Sequence, residues 1–214
     1  SLNISLDEAT LNTPYRNSIP ANDQPAYPGD IELEEKIEKV LRWNAIAMVL
    51  KAQDKGIGVG GHIATYASCA TMLEVGFNHF FQGAGPDNDR GSADMLLPQP
   101  HAAPGIYARA FLEGRLTEQQ LDHYRQELAS GGGLSSYPHP RCMPNFWELP
   151  NASMGLSTPA AIYQARFAKY LENRGMKEKA SGKVWCFIGD GESDEPEVLG
   201  SISLAAREKL DNLI

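Results

Sequence analysis

The chain has 214 residues, with 19 Lys and Arg against 27 Asp and Glu and a formal net charge of −8. A chain of this length buries roughly 70% of the surface its unfolded form exposes, enough for one large α/β domain with an N-terminal extension. The acidic balance argues against nucleic acid or an anionic membrane as partner, and no run of about 18 apolar residues predicts a membrane span. The start, Ser1-Leu2-Asn3-Ile4, lacks the basic and apolar regions of a secretion signal. Cys69, Cys142 and Cys186 are odd in number and widely spaced. They suggest reduced thiols in a cytoplasmic protein, with packing as the role of Cys186.

In chain order, residues 1–30 carry four prolines and little apolar periodicity, which predicts an extended N-terminal arm able to wrap a partner subunit. Leu33, Ile37, Val40, Leu41, Asn44 and Met48 recur at helical spacing, so about 30–52 reads as an amphipathic helix, acidic near its N-terminal end. A Gly-rich break follows over 56–61. A second helix is expected over 62–82, packed by Met72, Leu73, Val75 and Phe80, then a Gly-rich loop over 83–91. Met95-Leu96-Leu97 reads as a short strand ending at Gln99-Pro100-His101. Thr117-x-x-Gln120 is a capping-box pattern, and the helix it opens should bury Leu121, Tyr124 and Leu128 before Gly131-Gly132-Gly133. Residues 134–158 are irregular, a length of connection that tends to carry function. Ser157-Thr158-Pro159 opens a helix that should bury Ile162, Phe167, Tyr170 and Leu171 and stop at Gly175. A strand over 183–188 and a helix over 196–209 complete the alternation of a parallel sheet with flanking helices.

The sharpest chemical signal follows the last strand. Gly189-Asp190-Gly191-Glu192-Ser193-Asp194-Glu195-Pro196 puts a carboxylate between two glycines at a strand-to-helix turn, where open parallel sheets bind ligands. An acidic run is most often only solvated surface, but the strand before it favours a site. An EF-hand counted from Asp190 would need Gly and Glu where Glu195 and Ser201 stand. A dinucleotide fingerprint would need Gly at the place of Asp194. A metal-assisted diphosphate site remains, with Asp190 as its metal ligand. His62, after two glycines at a helix entrance, and His101, after an apolar strand, also lie where such proteins place ligands, although a hydrogen-bonded structural histidine is the commoner role. His79 reads as a packing residue, His123 as solvated, and His139 as a loop residue between prolines.

The Gly-Asp-Gly-Glu turn resembles the first half of the thiamine diphosphate motif. Asn12-Thr13-Pro14-Tyr15, Gly60-Gly61-His62, Phe77-Asn78-His79-Phe80-Phe81, Pro104 to Leu116, Ser135 to Pro140 and Ala161 to Phe167 closely resemble, in this order, the N-terminal part of the homodimeric-type pyruvate dehydrogenase decarboxylating component. The resemblance implies a transketolase-like, thiamine diphosphate-binding α/β fold, with residues 31–214 forming the first part of the diphosphate-binding domain, incomplete at the C-terminus. It implies a cytoplasmic homodimer in a multienzyme complex of pyruvate metabolism. Its chemistry would be oxidative decarboxylation of pyruvate, with acetyl transfer to a lipoyl-bearing dihydrolipoamide acetyltransferase.

By the same resemblance His62 and His101 are catalytic, and Asp190 binds Mg²⁺. Gln99, Tyr137, Ala152, Met154, Gly189, Asp190, Gly191 and Glu192 contact thiamine diphosphate, the tyrosine and methionine holding the thiamine rings. Pro98, Pro100 and Ser193 depart from the family pattern beside His101 and Asp190. The family's Asn pair falls beyond Ile214, and Asn212 does not match it. The carboxylate that activates the aminopyrimidine belongs to a later domain. The chain therefore reads as a piece of a catalytic subunit, or as a naturally shortened relative, inactive in isolation. A non-catalytic assembly module of the same fold, or another thiamine diphosphate enzyme such as a transketolase, stands as the alternative.

Overall fold

The computed structural model describes residues 20–56, 58, 61–84, 93–179 and 181–214. Residues 1–19 of the expected arm, with the Asn12 to Tyr15 motif, lie outside them, as do Gly60 and most of the loop over 83–91. The main elements are α1 (Ile31–Asp54), α2 (Ala64–Val75) continued by a π turn (Gly76–Phe80), β1 (Met95–Leu97), a 3₁₀ turn (Pro100–Ala102), α3 (Ala103–Leu112), α4 (Glu118–Asp122), α5 (Ser157–Asn173), β2 (Val184–Cys186), α6 (Asp190–Ser193) and α7 (Pro196–Glu208).

β1 and β2 run parallel, with Met95 opposite Val184, Leu96 opposite Trp185 and Leu97 opposite Cys186. The last residues extend the sheet on the far side of β2, where Ile214 N–H donates to Val184 O and Cys186 N–H to Ile214 O. Asp94 fixes the start of both strands. Its carboxylate accepts from the Lys183 amide at 2.7 Å and the Trp185 indole at 2.8 Å, which sets the register before the ladder begins.

Two apolar layers cover the sheet. On one side α1, α2 and α3 share a core built from Leu41, Met48, Tyr66, Leu73, Ile106 and Tyr107, closed by Leu134 and Trp147. Tyr107 is fully buried, and it is satisfied: its hydroxyl donates to Ser135 O at 2.8 Å and accepts from the Trp147 indole at 3.1 Å. On the other side Ala161 and Ala165 of α5 pack on Leu97 and Val184. Small residues here let the helix lie close to the strands, which anchors α5 directly over the sheet.

Most expected elements form, but several faces are rotated. Asp30 caps α1, accepting from the Leu33 amide at 3.0 Å. Its buried stripe is Leu41, Ala45, Met48, Val49 and Ala52, while Leu33 and Val40 are exposed. Along its first turns Ile37 packs on the core and Glu34 faces the π turn, which leaves Leu33 and Val40 on the outer side. Met72, Phe80, Phe167 and Tyr170 are likewise exposed, because α2 and α5 turn Tyr66, Cys69, Ala70, Ala161 and Ala165 inward instead. The Thr117–Gln120 capping box forms as expected. Its helix ends at Asp122, however, and Leu128 is exposed. Tyr124 then bridges to Leu134, so the chain turns back early rather than completing the helix. The helix α3, not specified by the sequence reading, lies among the most buried segments of the chain.

His79 does pack, and through polar contacts. Its Nε2 lies 2.9 Å from the Glu34 carboxylate, which also accepts from Tyr27 Oη at 2.6 Å, tying the segment before α1 to the π turn. His123 Nδ1 meets Gly132 O at 3.0 Å, and His139 Nδ1 accepts from the Arg141 amide at 3.1 Å. All three cysteines are free thiols. Burial pushes the Cys186 thiol up to about 11. No helix among the described residues is long and apolar enough to cross a membrane.

Candidate active site

The site is assembled where β1 and β2 leave the sheet at the same end. The Phe187 amide donates to Leu97 O at 3.0 Å, and beyond that bond the chains separate. Pro98 and Pro100 lack the N–H a ladder needs, so pairing stops and Gln99 and His101 are released onto a 3₁₀ turn. On the other strand Gly189 ends the extended segment and Asp190 starts the single turn of α6.

Glu192 organises this turn from inside. The side chain is 3% exposed, and its carboxylate accepts from Ser157 Oγ at 2.7 Å, the Gly155 amide at 2.8 Å, Gln99 Nε2 at 3.3 Å and the Gly189 amide at 3.3 Å. Burial alone pushes this carboxyl up. The four donors outweigh burial and hold it below its ordinary value. Asp190 and Gly191 remain exposed on the outer side of the same turn. The turn thus has one carboxylate held inside and one facing out.

Gly189 is required by its neighbour. A Cβ there would stand 2.2 Å from Gln99 Nε2, so the glycine lets Gln99 cross the turn to Glu192. At Gly191 a Cβ would meet nothing within 4 Å, which leaves open space in front of that backbone. A cavity of about 390 Å³ lies against Gly189, Asp190, Gly191 and Glu192, with Gln99, Met154, Phe187 and Ile188 on its walls and Thr65, Ser68, Cys69 and Met72 of α2 across from them. Met154 is 45% exposed, so its thioether is available to a ligand rather than spent in the core. Ala152 is exposed on the neighbouring loop. That loop is secured by buried Asn151, whose Nδ2 donates to Pro98 O at 2.8 Å and whose amide donates to Pro138 O at 2.9 Å.

The two histidines meet. The rings of His62 and His101 are edge to face with centroids 4.6 Å apart, and Tyr137 stands on the other side of His101 at 5.0 Å. Tyr137 Oη lies 3.4 Å from His101 Nε2. Gly61 makes the approach possible by packing against Val49 and Tyr124, where a Cβ would fall within 2.9 Å of Val49 Cγ1. His101 Nδ1 is buried and has no hydrogen-bond partner. Burial, the His62 ring and the Arg125 charge all lower the His101 pKa, with Glu192 opposing, so the imidazole is disposed to be neutral near pH 7.

Asn212 lies at the far end of β2. Its Nδ2 donates to Ala165 O at 2.9 Å, remote from the Gly189 turn. Among the described residues no group of three or more His, Cys, Asp or Glu side chains gathers to hold a metal. A Mg²⁺ ion accepts one or two carboxylates plus phosphate and water oxygens, so the lone outward Asp190 fits an ion carried in with a diphosphate rather than an all-protein cage. The sequence reading gave no site role to Ser157, Thr65 or Cys69. Thr65 follows His62 by three residues, which on the first turn of α2 was a usable signal; the Ser157 to Glu192 bond spans 35 residues and had none.

No family model matches the chain. Over 204 residues it is 57% identical to the pyruvate dehydrogenase E1 component of Pseudomonas aeruginosa, covering 95% of this chain and 23% of the relative. The corresponding figures are 54% over 200 residues for Escherichia coli K12 (94% and 22%) and 56% over 206 residues for Mycobacterium tuberculosis (96% and 22%). Among solved structures, a transketolase from Leishmania mexicana superposes with a TM-score of 0.64 at 24% identity, covering 84% of this chain and 26% of that one. A transketolase mutant from Pichia stipitis gives 0.65 at 22%, covering 85% and 26%. The chain spans about 23% of the length of the curated relatives it matches. It has a transketolase-like fold and is similar, over nearly all of its own length, to a segment of the pyruvate dehydrogenase E1 component.

Proposed function

We propose that this chain forms part of the active centre of a thiamine diphosphate- and Mg²⁺-dependent subunit that decarboxylates pyruvate and passes the acetyl group to the lipoyl group of a dihydrolipoamide acetyltransferase. The observation that carries this reading is the juxtaposition of the His62–His101–Tyr137 cluster with the Gly189 to Glu192 turn, at the end of two parallel strands. That juxtaposition occurs in a chain 54% to 57% identical to pyruvate dehydrogenase E1 components. The reading includes a homodimer, a multienzyme complex and a cytoplasmic setting.

On this reading Asp190 is the protein's carboxylate ligand to Mg²⁺, and the open backbone at Gly191 admits the diphosphate. Glu192 holds the turn, and Gln99 with it. Tyr137, Ala152 and Met154 bound the thiamine rings. Thiamine diphosphate, when bound, supplies the electron sink for the carbon–carbon bond that breaks as CO₂ leaves. His62 and His101 orient the keto acid, and His101, with its unpartnered Nδ1, holds or releases a proton at that atom.

The test is calorimetric titration with thiamine diphosphate, with and without Mg²⁺, combined with CO₂ release from pyruvate. The complete subunit should bind in a Mg²⁺-dependent manner and release CO₂. The 214-residue chain alone should release none. Turnover of sugar phosphates in a transketolase assay would favour the transketolase reading, and a complete subunit without any turnover would favour an assembly module.

A further inference from the structure

We propose that Arg125 is a positioning residue of the histidine site, pinning the Tyr137 ring against His101 and placing a fixed cation beside the histidine pair. The inference deepens the reading given above and rests on it. Three observations converge. The Arg125 guanidinium carbon lies 5.5 Å from the centroid of the Tyr137 ring, on a residue whose own centroid is 5.0 Å from that of His101. Arg125 follows buried Tyr124, which bridges to Leu134 and so fixes the backbone at the base of the side chain. Arg125 also holds φ at 59°, in the left-handed region that disfavours any residue with a Cβ.

The conformation is the informative part. A position with this φ is one that glycine would occupy without strain, and three glycines follow closely at 131–133. An arginine there is therefore unfavourable for the turn itself, and strain of this kind concentrates where a side chain has a task. The task available is electrostatic and steric. A guanidinium over an aromatic face is attracted to the ring quadrupole and limits its rotation. Its charge also opposes a second positive charge on His101. The groups facing His101 are His62, Tyr137, Arg125 and, with opposite sign, Glu192, while Glu127 lies near Arg125 and accepts from the Ser136 amide at 2.6 Å. Arg125 thus favours neutral His101, the form able to accept a proton, and does so without touching substrate.

The test uses the full-length protein and needs neither cofactor nor turnover. Exchange of the imidazole C2 proton, followed by mass spectrometry across pH, gives the midpoint of His101 titration. In Arg125→Gly that midpoint should rise while thermal stability is unchanged or higher; in Arg125→Lys, which keeps the charge, it should stay closer to the parent. An unmoved midpoint in Arg125→Gly overturns the proposal. A marked loss of stability in Arg125→Gly also overturns it, by showing that the side chain serves the fold. Because the readout is proton exchange, failure of pyruvate decarboxylation would refute the function above while leaving this result standing. Where turnover is measured, Arg125→Gly should lower kcat and displace the acidic limb of its pH profile upward, with cofactor affinity little changed.

Discussion

Ser157, the first residue of α5, donates its hydroxyl to the Glu192 carboxylate at 2.7 Å, and both side chains are buried. This bond joins the irregular loop and α5 to the turn carrying Asp190. The position of the outward carboxylate is thereby set by the inward one.

Replacing Glu192 should consequently loosen the whole turn. Glu192→Ala leaves Ser157 Oγ and the Gly155 amide buried without their acceptor, at a cost of about 3 kcal/mol. Urea unfolding of the two proteins would show the difference in midpoint. The parent should also carry a pH dependence that Glu192→Gln lacks. Since the folded-state pKa lies below the ordinary value of 4.5, the Glu192 contribution is complete above that pH and is lost as pH falls through the folded value. Thermal melts at intervals from pH 6 down to about pH 3 would reveal it.

Asp190→Ala should behave in the opposite way. The residue is exposed, so folding stability should change little, by less than about 0.5 kcal/mol. Thiamine diphosphate affinity at limiting Mg²⁺ should fall roughly ten- to a hundredfold, the worth of one charged ligand. Unchanged binding in a Mg²⁺-limited titration would remove Asp190 from the metal site.

Gly189→Ala probes the crossing of Gln99 over the turn. The backbone φ of −83° suits any residue, but the new Cβ would stand 2.2 Å from Gln99 Nε2 and displace that amide from Glu192. Cofactor affinity should fall. In the double variant Gly189→Ala with Gln99→Ala the clash is gone, so the second change should cost less than it does alone, and a double-mutant cycle of binding constants measures that coupling.

His101→Ala in the complete subunit should reduce turnover by about a hundredfold or more while leaving cofactor affinity within a few fold, as expected of a proton-handling group. Measuring kcat together with the thiamine diphosphate dissociation constant decides it. Equal losses in both would assign His101 a structural role.

Local chemistry was legible from residue order. The Thr117–Gln120 capping box, the two apolar strands, and the turn from Gly189 are each specified by neighbours a few positions apart, and each forms. The motifs around His62, Tyr137 and Gly189 named the family resemblance for the same reason, since a motif is a short-range pattern. What residue order could not convey was which helix face turns inward. Leu33, Val40, Phe167 and Tyr170 are apolar and helically spaced, yet exposed, because burial depends on what stands opposite and not on hydrophobicity alone.

The site divides along the same line. Sequence supplied Asp190 and the two histidines as candidates, but gave no sign that Glu192 points inward to Ser157 while Asp190 points out. Nor could it foretell that His62 and His101 come to 4.6 Å, or that Arg125 reaches Tyr137. Those relations join residues 12 to 39 positions apart, and they exist only once the fold has brought the start of α2, the segments after α4 and the two strand ends together. Hydrogen bonds and ring contacts act over a few ångströms of space, whereas a sequence records separation along the chain; only the packed sheet and its helices convert one into the other.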